Sequence, residues 1–169
     1  MNPRALGVGV ALAVLAADQA AKFGVLSRPD AALDTTPIAP FLDLALRWNR
    51  GISFSLFIQD TAAGRAVLLA FTLAAVVLLG WWLASSRSLV SAAGLGAIIG
   101  GALGNALDRA AHGAVVDYLD LHAFGRHFFV FNLADAAINI GVALLILDLA
   151  LSSWSAGGGR RAERPRTEL

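Results

Sequence analysis

Four stretches of this 169-residue chain are each about 20 residues long, apolar and nearly free of charge: Ala5–Leu26, Ala66–Ala84, Leu89–Leu107 and Ala134–Trp154. A hydrocarbon core about 30 Å thick needs about 20 helical residues to cross it. Backbone immersed in lipid must satisfy its own polar groups, so four transmembrane helices are the predicted architecture. Composition agrees, with 57% hydrophobic residues, 15% charged residues and a mean hydropathy of +0.69. A soluble domain would carry about a quarter of charged residues. The net charge of +1 gives no basic footprint for nucleic acid, and the absence of cysteine removes thiol nucleophiles, disulfides and thiolate-bound zinc.

Arginine outside the spans sets the expected orientation. Arg4, Arg87 and the group Arg160, Arg161, Arg164 and Arg166 fall on one side of a four-span topology. That side, holding both termini, is expected to be cytoplasmic. Residues 1–156 then form one transmembrane domain and residues 157–169 a flexible basic tail. The first span follows Arg4 as a signal peptide would, but Asp18 and Lys22 interrupt it and no small-residue cleavage signal follows, so it is expected to be retained.

The opposite side receives two longer connections. In the first, Leu42, Leu44, Leu46 and Trp48 alternate with other residues, as do Ile52, Phe54 and Leu56, and Asn49-Arg50-Gly51 joins them. This pattern predicts a small hairpin at the membrane surface. In the second, Phe124, Phe128, Phe129 and Phe131 form an aromatic, interfacial segment. The third span carries Gly96, Gly100 and Gly104 on one helical face, a spacing that lets helices approach closely.

Charges within a span are costly and need a partner or a function. Asp18 and Lys22 stand four apart on one helical face, able to form an ion pair, either to fix packing or to support a site. The topology gathers Asn105, Asp108, Arg109, Asp117, Asn132 and Asp135 at the same end of the bundle. Asp117 and Asp135 each follow apolar residues that would bury a carboxylate. Two close carboxylates in a poor dielectric share a proton, so that one activates water while the other polarises a carbonyl. The simpler alternatives are a helix-start acid for Asp135 and a turn residue for Asp117. Asp120 and Asp148 read as interfacial or structural acids. His112, His122 and His127 lack a compact ligand spacing, so no metal is expected. A dyad of Ser53 or Ser55 with Lys22 is a weak alternative nucleophile.

Five blocks together resemble the bacterial lipoprotein signal peptidases, or signal peptidase II: Asp18-Gln19-Ala20-Ala21-Lys22, Asn49-Arg50-Gly51-Ile52-Ser53-Phe54, Gly104-Asn105-Ala106-Leu107-Asp108-Arg109, Gly113-Ala114-Val115-Val116-Asp117-Tyr118 and Phe131-Asn132-Leu133-Ala134-Asp135. The resemblance implies an all-α, four-helix aspartyl protease of the bacterial inner membrane with its site near the periplasmic face. By position it implies Asp117 and Asp135 as the catalytic pair. Asp18, Lys22, Asn49, Asn105, Asp108, Arg109 and Asn132 would support the site or contact substrate and inhibitor. It further implies cleavage of diacylglyceryl-modified prolipoproteins just before the lipidated cysteine, inhibition by globomycin, membrane lipid as surroundings, and no cofactor. Tyr118 and Ile52-Ser53 depart from the family's usual Phe and Ala-Ala. The rival from another class is a proton-coupled transporter or channel subunit, which would place polar stations at both membrane depths.

Overall fold

A computed structural model describes residues 1–28, 35–51 and 61–161. Its elements are α1 (Pro3–Leu26), β1 (Thr36–Ala39), β2 (Leu42–Asn49), α2 (Ala62–Ser85), α3 (Leu89–His112), β3 (Val115–Ala123), β4 (Arg126–Phe131) and α4 (Leu133–Arg161). All four helices are long and apolar enough to cross a membrane. At about 1.5 Å per residue, 24 residues reach about 36 Å, which exceeds the hydrocarbon thickness.

The helix starts follow local chemistry. Asn2 accepts from the Arg4 N–H at 3.0 Å with Pro3 in the first turn of α1, Thr61 accepts from Gly64 N at 3.1 Å, and Ser88 accepts from Ser91 N at 3.3 Å. The third helix runs five residues beyond the expected Leu107, to His112. A charge such as Asp108 ends an apolar stretch but not a helix. The stop comes at Gly113, whose φ of 73° makes the left-handed cap and whose N–H reaches Arg109 O at 3.1 Å. The second helix likewise begins at Ala62 rather than Ala66, set by its cap. The fourth continues to Arg161, whereas the sequence reading closes the last span at Trp154 and opens a tail at Gly157.

Helix α3 is the centre of the bundle, packing against each of the other three. Its glycines explain how. A methyl on Gly96 would meet the Gly7 carbonyl of α1, and one on Gly101 would meet the Ala134 carbonyl of α4. Without an aqueous driving force between helices, such close approach supplies the packing. Ala11, Leu83, Ala92, Leu95 and Ile99 form the core between α1, α2 and α3. By contrast α2 exposes Val67, Phe71, Val77, Leu78 and Trp81, as a lipid-facing helix should.

The strands form one antiparallel sheet in the order β1-β2-β3-β4. The first arm of the expected hairpin is β2, hydrogen-bonded to β1 and β3; its second arm, including Ser53 and Ser55, lies outside the described residues. The aromatic segment is strand β4, joined to β3 through Phe124 and Gly125 at φ of 53° and 70°. Val25 of α1 packs with Val116, Tyr118, Leu44 and Leu46, fixing the sheet over the bundle end.

Candidate active site

The site is built where α4 begins. A helix start leaves N–H groups without partners, and here each is met from a different element. Leu133 N donates to the Tyr118 hydroxyl at 3.3 Å, Ala134 N to Asp18 Oδ1 at 2.9 Å, and Asp135 N to Asn132 Oδ1 at 2.9 Å. Asp135 Oδ2 in turn accepts from Asn132 N at 3.4 Å, closing a reciprocal capping box. The helix-start reading of Asp135 therefore describes one of its oxygens. Its Oδ1 accepts from Asn105 Nδ2 at 2.9 Å.

Asn132 is fully buried and couples the two acids. Its Nδ2 donates to Asp117 Oδ1 at 2.7 Å and to Asn105 Oδ1 at 3.1 Å. Asn49 Nδ2 donates to Asp117 Oδ2 at 3.0 Å, while its own Oδ1 accepts from Gly51 N at 3.0 Å. Asp117 is thus held in β3, not in a turn, between amides from β2 and from the cap of α4. Its carboxyl is pushed up to about 6, by burial first and by the charge of Asp135 second, against the hydrogen bonds of Asn49 and Asn132 and the charge of Lys22.

Beneath this layer lies a cationic brace. Lys22 Nζ sits 2.8 Å from Asp18 Oδ2 and 2.7 Å from Asp108 Oδ2, with all three residues buried. It also donates to Asn105 Oδ1 at 3.0 Å, which turns the Asn105 amide so that its NH₂ faces Asp135. The i, i+4 pair is therefore one side of a three-residue cluster joined to the acid pair through Asn105. Asp108 additionally accepts from Val116 N at 3.1 Å, which ties α3 to β3. Close approach of α1 and α3 makes this possible, since a methyl on Gly104 would meet the Asp18 carboxylate.

Arg109 donates to Gly51 O at 2.9 Å and to Asn105 O at 3.5 Å, bracing the end of β2 rather than pairing with either carboxylate. Two contributors were not singled out as site residues. Gln19 donates to Asp18 Oδ2 at 3.2 Å, Gly104 O at 3.3 Å and Asp108 Oδ1 at 3.2 Å, and Tyr118 caps Leu133. An amide beside Asp18 in an apolar span is the signal for Gln19. For Tyr118 the signal is the hydroxyl it carries where the resembled family usually has Phe, although the partner of that hydroxyl is set by a long-range contact. Burial pushes the Tyr118 hydroxyl up to about 12, so it remains a neutral acceptor.

The remaining singled-out groups serve other places. Asp148 accepts from Ser88 and Ser91 at 2.6 and 2.5 Å, at the start of α3 and the far end of the bundle. Asp120 is buried against His127 at 2.8 Å, and His122 lies 3.1 Å from Asp43, all on the sheet. His112 stacks edge-on against Trp48 with ring centres 5.5 Å apart.

Among the described residues three clefts meet at the acids, and Asn49 lines all of them. One of about 450 Å³ runs over the sheet past Arg47, Trp48, Asp117, Phe128 and Phe129. A second, about 230 Å³, opens between α2, α3 and α4 beside Leu68, Phe71, Ala75, Arg109 and Asp135. The third, about 360 Å³, follows Phe129, Phe131, Asp135, Ala136 and Ile138. Acids reached both from between the apolar helices and from the sheet side fit an integral membrane enzyme.

Comparison with known proteins narrows that class. Residues 10–151 match the family described as Signal peptidase (SPase) II, and the chain belongs to that family of membrane-bound peptidases. It is 45% identical to the lipoprotein signal peptidase of Methylobacterium sp. (strain 4-46), over 98% of this chain and 99% of that protein. It is 48% identical to the lipoprotein signal peptidase of Methylocella silvestris, over 96% and 95%. Its fold is that of a bacterial membrane enzyme solved at 2.3 Å by the in meso method, with TM-score 0.76, 24% identity and coverage of 96% of this chain and 93% of the other.

Proposed function

We propose that this chain is an aspartic endopeptidase that removes the signal peptide from diacylglyceryl-modified prolipoproteins, cutting just before the lipidated cysteine. The observation that carries the reading is the acid pair itself: Asp117 and Asp135, joined through the buried Asn132, whose side-chain amide donates to the first and whose backbone N–H donates to the second, and reached from clefts of opposite character. Asp117 holds the pair's proton in the free enzyme, consistent with its raised carboxyl. Asp135 stands in the first turn of α4, where the helix dipole favours negative charge, and acts as the base. It takes a proton from water as the oxygen adds to the scissile carbonyl, and Asp117 gives its proton to the carbonyl oxygen. The titration belongs to the pair. Collapse of the tetrahedral species then expels the amine of the lipidated cysteine, protonated from the same pair. The acyl chains stay in lipid, and that anchoring supplies orientation. The chemistry calls on no cofactor.

The same reading places the protein in the bacterial inner membrane with both termini cytoplasmic and the acids near the periplasmic face. Globomycin-like inhibitors would occupy the clefts at the acids. The transporter alternative is disfavoured by the distribution of polar groups. The network gathers at one end of the bundle, and Asp148 at the other end is engaged by two serines. The test is purified protein with a lipidated precursor peptide, with and without globomycin, alongside proton flux in liposomes. Asp117→Asn and Asp135→Asn should each fold and leave the precursor uncut. Normal processing by either variant would exclude the pair.

A further inference from the structure

The cleft over the sheet contains a charged side chain that the proposed chemistry does not use. Arg47 lies directly opposite Asp117 in the β2–β3 register, so the two side chains emerge on the same face of the sheet. It is exposed, and its Nη1 donates only to the adjoining Leu46 carbonyl, at 3.0 Å. No carboxylate among the described residues lies within ion-pair distance of it. Around it the cleft is lined by Trp48, Phe128 and Phe129 together with Asp117.

Resting on the function proposed above, the three clefts divide the substrate. Acyl chains and an apolar signal helix belong in the cleft bordered by Leu68, Phe71, Ala75 and Ile138, which opens between spanning helices, and in the apolar one between β4 and α4 along Phe131, Ala136 and Ile138. The polypeptide after the cleavage point must leave toward water, and the cleft over the sheet remains for it. Cross-strand neighbours stand about 5 Å apart and an extended peptide advances about 3.4 Å per residue. With the scissile carbonyl at Asp117, the Arg47 guanidinium meets the first or second residue after the lipidated cysteine.

We propose that Arg47 is a specificity-determining residue that selects substrates with an acidic side chain just after the lipidated cysteine and disfavours basic ones. The acid pair alone would give the opposite preference, because the one negative charge that it carries repels an acidic neighbour. Arg47, directly across the strand pair from Asp117, reverses the sign of the local field. A solvent-accessible ion pair changes an equilibrium by up to about five-fold, and salt screens it.

The experiment uses full-length protein in lipid nanodiscs and three diacylglyceryl-modified peptides that differ only after the cysteine: Cys-Ser, Cys-Asp and Cys-Lys. Wild-type protein should give a kcat/KM for Cys-Asp about three- to five-fold above Cys-Lys in 0.1 M salt, shrinking toward unity in about 1 M salt. In Arg47→Gln the ratio should fall to unity or below, and in Arg47→Glu it should invert. A structural role would lower all three substrates together and leave their ratio unmoved. Equal cleavage of Cys-Asp and Cys-Lys by wild type, or a preference that survives Arg47→Glu, overturns the assignment while leaving the peptidase reading intact. Failure of wild type to cut even Cys-Ser would instead strike the proposed function. Should Arg47→Glu fail to fold, the salt series on wild type still decides.

Discussion

Lys22→Met tests the brace beneath the acids. Lys22 Nζ is 2.8 Å from Asp18 and 2.7 Å from Asp108, and its side chain is only 3% exposed. Methionine fills nearly the same volume, so packing changes little. What remains is two buried carboxylates without their shared cation. Each keeps other donors: Ala134 N on Asp18, Val116 N on Asp108, and Gln19 on both. Removing one partner of a buried ion pair costs about 3–5 kcal/mol, and those donors hold the cost toward the lower end. In a chain of this length, about 3 kcal/mol lowers the thermal midpoint by roughly 6–12 °C. The measurement is thermal unfolding in detergent followed by intrinsic tryptophan emission. The decisive comparison is Lys22→Met with Asp108→Asn, which removes one orphaned charge. It should recover about 1–2 kcal/mol, so the two changes together cost less than their sum. A loss under 1 kcal/mol for Lys22→Met, or strict additivity in the double variant, would refute a charge-based brace.

Other consequences follow from the same geometry. Because the Asp117 carboxyl is raised to about 6, its stabilising contribution is complete below about pH 4 and is lost as the pH climbs through 6. Two units correspond to about 3 kcal/mol, so the unfolding midpoint of wild type should drop between pH 4.5 and 7, and Asp117→Asn should flatten that drop. Under the proposed mechanism kcat/KM should decline above about pH 6, with kcat declining at higher pH as bound substrate excludes water; a flat profile from pH 5 to 8 would count against Asp117 as proton holder. Gly96→Ala drives a methyl into the Gly7 carbonyl and should cost about 1–3 kcal/mol by forcing α1 from α3, whereas Gly9→Ala, with open space around its Cβ, should be neutral on the same denaturation curve. Phe124 is fully exposed at φ 53° before Gly125, so Phe124→Asn should raise the midpoint by about 1–3 °C by easing the turn.

The bundle was legible because lipid imposes a length and a composition on any helix that crosses it. The helix ends were less so. Hydropathy marks where apolar residues stop, but Gly113 and Thr61 mark where the backbone changes, and these lie several residues away. The sheet was legible only in β2, where Leu42, Leu44 and Leu46 alternate. Strand β3 carries Asp117 and Asp120 inside it, both buried, the first held by Asn49 and Asn132 and the second by His127. A charged residue within a strand defeats a pattern-based reading. It is also why those positions are informative.

For Asp135 the sequence poses a choice between a helix-start acid and a site acid, and in the structure the first does not exclude the second. One oxygen closes the capping box with Asn132 and the other faces Asn105 and the clefts. The two roles need each other. A carboxylate can be aimed within a membrane protein only if its rotamer is locked, and the helix start supplies unpaired N–H groups to lock it. Those same groups recruit Tyr118, Asp18 and Asn132, so the elements that complete the cap are the ones that surround the acids. Asn132→Ala should therefore lose more than the cap's usual cost of about 1 kcal/mol. It unpairs Asp117 Oδ1 and removes the acceptor of Asp135 N in one step, lowering both the unfolding midpoint and precursor cleavage. Serine at 132 restores an acceptor for Asp135 N but no amide for Asp117. It should recover the midpoint without recovering cleavage, and recovery of both together would mean that the Asn132 side-chain amide on Asp117 is dispensable.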